Sequence, residues 1–306
     1  MQGTPVVTSV DGEELILYGT EAFPVLAYDN DYTEKSVIWH WHREFEVIHV
    51  VEGMLLVQVP NEKIIVKAGE VVFINSEIMH SAKNAATGMC KFHTAVFLPE
   101  FVCNGEQGIL WQQYVGPLIR KKEVMYVKFP MEQSETVEAG RLMKDFWDAC
   151  RTELVGFEFK MRDDLSALVA MVVESTLYDK QLLQVQKRGV NQERIKSMVR
   201  YIHNNYMYDI HTIDIGKAAN VSGSECLRCF KNALDTTPVQ YLKKYRLKRA
   251  ALQLRCAENS ISEIAATCGF GHMSYFAECF EKEFGVLPRE YRKTAPAAAC
   301  SRDNHV

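Results

Sequence analysis

The feature that most limits how this chain can fold is a pattern that occurs twice in its last third. Ile213-Asp214-Ile215-Gly216-Lys217-Ala218-Ala219-Asn220-Val221-Ser222 is followed by a second segment, Ser224 to Ala233. Ile261-Ser262-Glu263-Ile264-Ala265-Ala266-Thr267-Cys268-Gly269-Phe270 is followed in the same way by Ser274 to Glu283. Each pair reads as a short helix with two small alanines, a tight turn, and a second helix bearing an aromatic residue, Phe230 or Phe280. Small residues let two helices cross closely, and the turn needs a residue near positive φ, supplied by Asn220 and Gly269. Phe230 and Phe280 are expected to pin each second helix to a core. Between the copies, Pro238 to Leu254 reads as one long helix carrying Lys243, Lys244, Arg246, Lys248 and Arg249. Two helix-turn-helix units held by one connecting helix suit two successive major-groove segments on one face of a duplex.

Charge points the same way. Residues 1–189 hold 18 Lys+Arg and 27 Asp+Glu, a net of −9, and residues 190–306 hold 17 and 12, a net of +5. A basic C-terminal part on an acidic chain suits a polyanion-binding module. With 47% hydrophobic and 24% charged residues, the composition is globular and excludes rods and disorder. The best apolar run, Leu165 to Val173, is far shorter than a membrane helix needs and contains Ser166. No basic segment followed by an apolar one opens the chain, so a cytoplasmic location is expected. Nine cysteines, an odd number, are then expected as reduced thiols. Cys226-Leu227-Arg228-Cys229 spells CxxC, but no second pair stands at zinc-finger spacing, and the reading is two small apolar residues buried on one helix. There is no serine nucleophile elbow, P-loop or GxGxxG to suggest a hydrolase, NTPase or dehydrogenase.

Residues 193–293 resemble the DNA-binding domain of the AraC/XylS family. The resemblance rests on Ala218-Ala219 to Cys229-Phe230-Lys231, Thr237-Pro238-Val239-Gln240-Tyr241-Leu242, Tyr245-Arg246-Leu247 with Ala250-Ala251, and Ile264-Ala265 through Gly269-Phe270. It continues in Ser274-Tyr275-Phe276, Phe280 through Phe284-Gly285-Val286, and Pro288-Arg289-Glu290-Tyr291-Arg292. It implies base reading by Ser224, Leu227 and Arg228 in the first unit and by Met273, Ser274, Tyr275 and Glu278 in the second. Arg228 is the best direct reader, because a guanidinium forks onto guanine O6 and N7. Lys231, Lys244, Arg246 and Arg249 are expected on phosphates. Glu278 departs from the family's commoner basic or small choice; an acid accepts from cytosine N4 or repels the backbone.

The first half reads differently. From about Phe23 to Val102 short β runs alternate with turns: Val47 to Val51, Met54 to Val59, Lys63 to Val66 and Val71 to Ile74, with Val124 to Phe129 as a last strand. Such spacing suits a sandwich or barrel. A capped helix is expected over Ser134–Thr152 and a second from Phe157 to Gln186, with an apolar stripe Leu165, Leu168, Val169, Val172, Thr176. Part of that stripe is expected to pair with a second copy. The expected fold is α+β, and the expected organisation is a cupin-like β-barrel over 1–132, a helical dimerisation segment over 133–186, a linker over 187–192, an all-α domain with two helix-turn-helix units over 193–293, and a flexible tail over 294–306.

Within the β region, His40-Trp41-His42-Arg43-Glu44-Phe45-Glu46 precedes Gly53, and Gly69 precedes His80 and Asn84. On one strand His40, His42, Glu44 and Glu46 would share a face, with Trp39 and Trp41 opposite. This resembles the two cupin motifs over residues 23–102. Asn75 and Glu77 stand where the family usually has Pro and Gly, and Glu34 where it has a leading Gly. The resemblance implies a divalent metal on His40, His42, Glu46 and His80, chemically suited to Fe, Mn, Ni or Zn, or a pocket for a polar, sugar-like effector lined by these residues and Trp41, or structural histidines that satisfy one another's hydrogen bonds. The pocket is the leading expectation, with no cofactor required. His49, off the pattern, is expected to be structural. The whole reads as a transcriptional regulator, an activator in keyword, controlled by a small-molecule effector. Its expected partners are promoter DNA, that effector, a second copy of the chain and RNA polymerase, with no membrane. The alternatives are a metal-dependent cupin enzyme fused to a DNA-binding domain, and a constitutive DNA-binding protein whose barrel is scaffold.

Overall fold

The computed structural model describes residues 20, 22–32, 36–103, 105–121, 123–129, 134–178, 189–256 and 259–294. They fall into two compact units, residues 1–193 and 194–306. In the first unit the described strands are β1 Val25–Asp31, β2 Ser36–His40, β3 Phe45–Glu52, β4 Met54–Val59, β5 Glu62–Lys67, β6 Val71–Ile74, β7 His80–Asn84, β8 Lys91–Phe97 and β9 Tyr126–Phe129. They pair antiparallel in a five-stranded sheet, β1-β8-β3-β6-β9, and a four-stranded sheet, β2-β7-β4-β5.

The period-two pattern of β3 explains how it serves two cores. Ile48 and Val50 join Val72, Ile74 and Phe92 of their own sheet with Leu55, Val57, Ile64 and Val66 of the other in one buried cluster. Phe45 and Val47, on the opposite face, enter a second cluster with helical residues. The β3–β4 connection is made by Gly53, whose φ is 79° and whose missing Cβ would lie 2.0 Å from the Met89 carbonyl oxygen. Only glycine meets both conditions.

The α-helices described in this unit are α1 Gly116–Arg120, before β9, and α2 Ser134–Thr152 and α3 Phe157–Val173 after it. Leu165, Leu168, Val169 and Val172 are buried against Phe45, Val47, Phe97 and Phe146, and Thr176 is buried nearby. This corrects the expectation that part of the stripe serves a second copy. The outer face of the five-stranded sheet is apolar, and covering it removes more apolar surface from water than leaving it open. The exposed side of α2 is charged instead, with Arg141 bridging Glu138 and Asp145. Past Val173 the expected long helix gives way to a wider π-type turn over Glu174–Tyr178. Residues 179–188 lie outside the described residues, as do Glu34 and 295–306.

The second unit is helical: α4 Gly189–Asn205, α5 Thr212–Lys217, α6 Gly223–Leu234, α7 Pro238–Cys256, α8 Ile261–Thr267, α9 Met273–Phe284 and α10 Pro288–Thr294. Residues 189–192, expected in the linker, are the first turn of α4. Ile195, Met198, Val199 and Ile202 are fully buried, and the first amides of that stripe need carbonyl acceptors four residues earlier. Ser222 and Ser260 cap α6 and α8 by accepting from the amides of Glu225 and Glu263. The turns between paired helices hold Asn220 at φ 56° and Gly269 at φ 80°. Phe230 and Phe280 are both fully buried, so the repeated pattern is two helix-turn-helix units joined by α7. Among the described residues no helix is long and apolar enough to cross a membrane.

Candidate functional site

On α6, Ser224, Leu227, Arg228 and Lys231 are exposed, and the opposite side buries Cys226, Cys229, Phe230 and Ala233. Burial pushes the Cys226 thiol up to about 12 and raises that of Cys229, as fits apolar packing rather than redox or metal work. On α9, Met273, Ser274, Tyr275 and Glu278 are exposed, with Phe276 and Phe280 buried beneath. The two outer faces differ in charge. That of α6 carries Arg228 and Lys231 with Glu225, whereas α9 adds Glu281 and Glu283 to Glu278 against Lys282. Polyanion attraction therefore favours α6.

Lys244 is exposed on α7, as a phosphate contact requires. Arg246 and Arg249, expected on phosphates, are half-buried and hold contacts within the unit. Arg246 donates from Nε to the Tyr206 carbonyl and from Nη2 to the Tyr208 carbonyl, each at 2.7 Å, and packs against Gly269. Arg249 lies over the Tyr206 ring, 5.8 Å from its centroid. Both side chains tie α7 to the end of α4 and the turn after it. Basic residues occur on several faces of α7, and packing decides which of them face solvent.

In the first unit the four motif residues converge, though not from one strand. β2 ends at His40, the chain breaks over residues 42–44, and β3 begins at Phe45. The break is held by bonds from the β6–β7 loop: the Glu77 amide donates to the His42 carbonyl at 2.8 Å and Ser76 Oγ to the Arg43 carbonyl at 2.6 Å. Asn75, in the usual Pro position, anchors that loop by donating to the Leu118 and Val124 carbonyls. Glu77 takes the φ of 60° that a Gly would favour. His40 pairs across β2–β7 with His80. One ligand atom each from His40, His42, Glu46 and His80 then lies within 4.8 Å of the others, and all four residues are buried.

Their chemistry is acceptor facing acceptor. Nδ1 of His40, His42 and His80 lies 2.9, 3.2 and 2.8 Å from the carbonyls of Ile38, Glu44 and Ile78. A carbonyl only accepts, so each Nδ1 carries the proton and each Nε2 presents a lone pair. His80 Nε2 stands 2.8 Å and His42 Nε2 3.5 Å from Glu46 Oε2. Burial, reinforced by its histidine neighbours, holds His40 well below its ordinary value. Burial works to raise the Glu46 carboxyl, but His80 and His42 outweigh it and keep it well below the usual carboxylate range. Three imidazoles around an ionised carboxylate are a fitting donor set for a divalent ion. Sequence reasoning placed Glu44 on the face of His40 and His42 but gave it no role; its Oε2 lies 3.6 Å from His42 Nδ1 and backs that ligand. Its position two residues past His42 was the available signal. Trp41 is buried beside these ligands in the chain. Asn84 lies outside the cluster, donating to the Gly88 carbonyl in a turn. His49 is also elsewhere, on the sheet face beneath α2 near Gly140, where burial pushes it down to about 4.

A barrel with a buried polar centre and a helical unit with paired helix-turn-helix motifs define a DNA-binding regulator of two-domain build. Residues 215–294 match the family described as a helix-turn-helix domain, and residues 32–97 the cupin domain. The uncharacterized HTH-type transcriptional regulator YdeC of Bacillus subtilis (strain 168) is 28% identical over 284 residues, 92% of this chain and 96% of its own. The HTH-type transcriptional activator RhaS of Mannheimia succiniciproducens is 34% identical over 104 residues, 34% of this chain and 39% of its own. A crystal structure of fatty-acid-bound ToxT from Vibrio cholerae covers 90% of this chain and 97% of its own at 13% identity, with a TM-score of 0.47. The chain thus carries an AraC-type helix-turn-helix domain and a cupin-like N-terminal domain, and its curated relatives are HTH-type transcriptional regulators.

Proposed function

We propose that this regulator reads its operator chiefly through α6, with Arg228 on a guanine edge, and receives its signal at a divalent metal site formed by His40, His42, Glu46 and His80. The observation that carries the second part is the set of three Nδ1–carbonyl contacts, which aim three imidazole lone pairs at one carboxylate. A bound ion would supply a Lewis-acidic anchor for the oxygen donors of a small-molecule effector. Within the chain, Ser76, Glu77 and Glu44 hold His42 in place, and burial keeps His40 neutral.

Elemental analysis of the purified full chain is expected to find about one zinc, manganese, nickel or iron per chain, lost in His80→Ala. At a free metal concentration of about 1,000 times Kd, added metal should stabilise the barrel by about 4 kcal/mol. A metal-free protein whose melting ignores all four ions would end the metal reading. The same ligands favour one other reading, a metal-dependent cupin enzyme joined to the DNA-binding unit, which predicts consumption of a substrate by the loaded protein. For the DNA face, Arg228→Ala should cost about 1–3 kcal/mol on a selected duplex and relax preference at one base pair. Unchanged affinity and preference in gel-shift titrations would remove Arg228 from the reading set.

A further inference from the structure

The motif Ser-x-x-Glu opens two helices of the second unit, and it is wired differently in each. In α8, Ser260 Oγ accepts from the Glu263 amide at 3.2 Å, and the Glu263 carboxylate returns to the Ser260 amide at 2.7 Å. The short helix α5 closes similarly, with Asp214 accepting from the His211 amide at 3.2 Å. In α6, Ser222 Oγ accepts from the Glu225 amide at 3.2 Å, but Glu225 Oε1 accepts from Arg228 Nη2 at 2.8 Å. Cys229 Sγ adds a contact to the same oxygen at 3.6 Å. A residue in a position to close its own cap has been turned one helical turn forward, onto the guanidinium on the outer face.

We propose that Glu225 is a positioning residue for DNA reading, which holds the Arg228 guanidinium in one orientation before the duplex arrives. This rests on Arg228 being a base reader. An exposed arginine has many rotamers, and each must be given up when its fork meets guanine O6 and N7. An anchor on Nη2 removes part of that loss in advance and leaves the other guanidinium donors for the base. The pair itself adds little to folding, since both groups face solvent. A carboxylate on the DNA-reading face repels phosphates, which lowers affinity for duplexes in general. Glu225 therefore trades general affinity for selectivity. Arg228 in turn keeps the Glu225 carboxyl below its ordinary range, so the anchor stays ionised.

The test uses the full chain and a randomised duplex pool, sequenced after selection, at several salt concentrations. Glu225→Gln is expected to weaken preference at the guanine position read by Arg228 by about fivefold while tightening binding to the unselected pool. Glu225→Asp keeps the charge but shortens the reach, and should lose the same preference without the gain in general affinity. Glu263→Gln, which alters only a cap, should leave base preference unchanged. If both Glu225 variants select the parent sequence with undiminished preference while Arg228→Ala loses it, Arg228 reads without an anchor and the inference is overturned. If Arg228→Ala also retains full preference, it is the base-reading role of Arg228 that fails, and the inference with it.

Discussion

Placing alanine at Gly53 or at Gly269 is expected to unfold one unit and spare the other. At Gly53 a Cβ would stand 2.0 Å from the Met89 carbonyl oxygen, with the backbone at φ 79°. Backbone atoms cannot rotate away as a side chain does, so the β3–β4 turn must part from the segment leading into β8. At Gly269 the same atom would meet the Tyr206 carbonyl at 2.6 Å and Arg246 Nε at 2.8 Å, with φ at 80°. That substitution displaces the arginine that clamps the Tyr206 and Tyr208 carbonyls. Each change combines left-handed strain with a close clash, and about 4 kcal/mol or more is expected for each. All four tryptophans, Trp39, Trp41, Trp111 and Trp147, belong to the first unit. Tryptophan fluorescence should therefore report loss of the barrel in Gly53→Ala and an unchanged melt in Gly269→Ala, which should instead lose DNA binding. Two variants that melt like the parent would show that these turns do not need glycine.

Acid should disable the helical unit through His203. This residue is buried, stacks on Tyr245 with ring centroids 3.8 Å apart, and shares a 3.0 Å hydrogen bond with the Tyr241 hydroxyl. Tyr241 in turn packs on Phe230, the anchor of α6. Burial, helped by the nearby Arg249 charge, pushes His203 down to about 3 from 6.5. The folded value lies below the unfolded one, so the unfolded chain binds more protons in acid. The stabilisation is full above about pH 6.5 and is lost progressively as pH falls towards about 3. At about 1.4 kcal/mol per pH unit, the whole span is worth about 4–5 kcal/mol. His203→Phe keeps the stacking and removes the proton site. Its far-ultraviolet circular dichroism should show a flatter dependence of helical stability on pH, and a variant as acid-labile as the parent would refute the assignment.

The His80→Ala metal test and the Gly53 test probe the same barrel at different depths. Metal loss leaves the inter-sheet cluster of Ile48, Leu55, Val57 and Val72 in place, whereas the Gly53 change separates the strands that form it. A His80→Ala protein that folds but holds no metal is thus the informative control for signal reception.

Much of this protein was legible in the sequence because its signals are local. The paired alanines, the left-handed Asn220 and Gly269, the serine caps and the aromatic anchors each act within a few residues, and together they set two helix-turn-helix units without reference to the rest of the chain. The resemblance to the two cupin motifs likewise marked His40, His42, Glu46 and His80 in the sequence. Tertiary structure alone decided what depends on distant neighbours. The interruption between β2 and β3 at residues 42–44, which one-strand periodicity hides, is held by Ser76 and Glu77 more than thirty residues later. Arg246 and Arg249 belong to a basic run in sequence, yet they are half-buried because carbonyl acceptors and the Tyr206 ring stand there. The α3 stripe reads as a partner face until the sheet beneath it is seen to be apolar. Local propensity fixes elements and turns, whereas the side a residue faces is settled by the surface that packs against it.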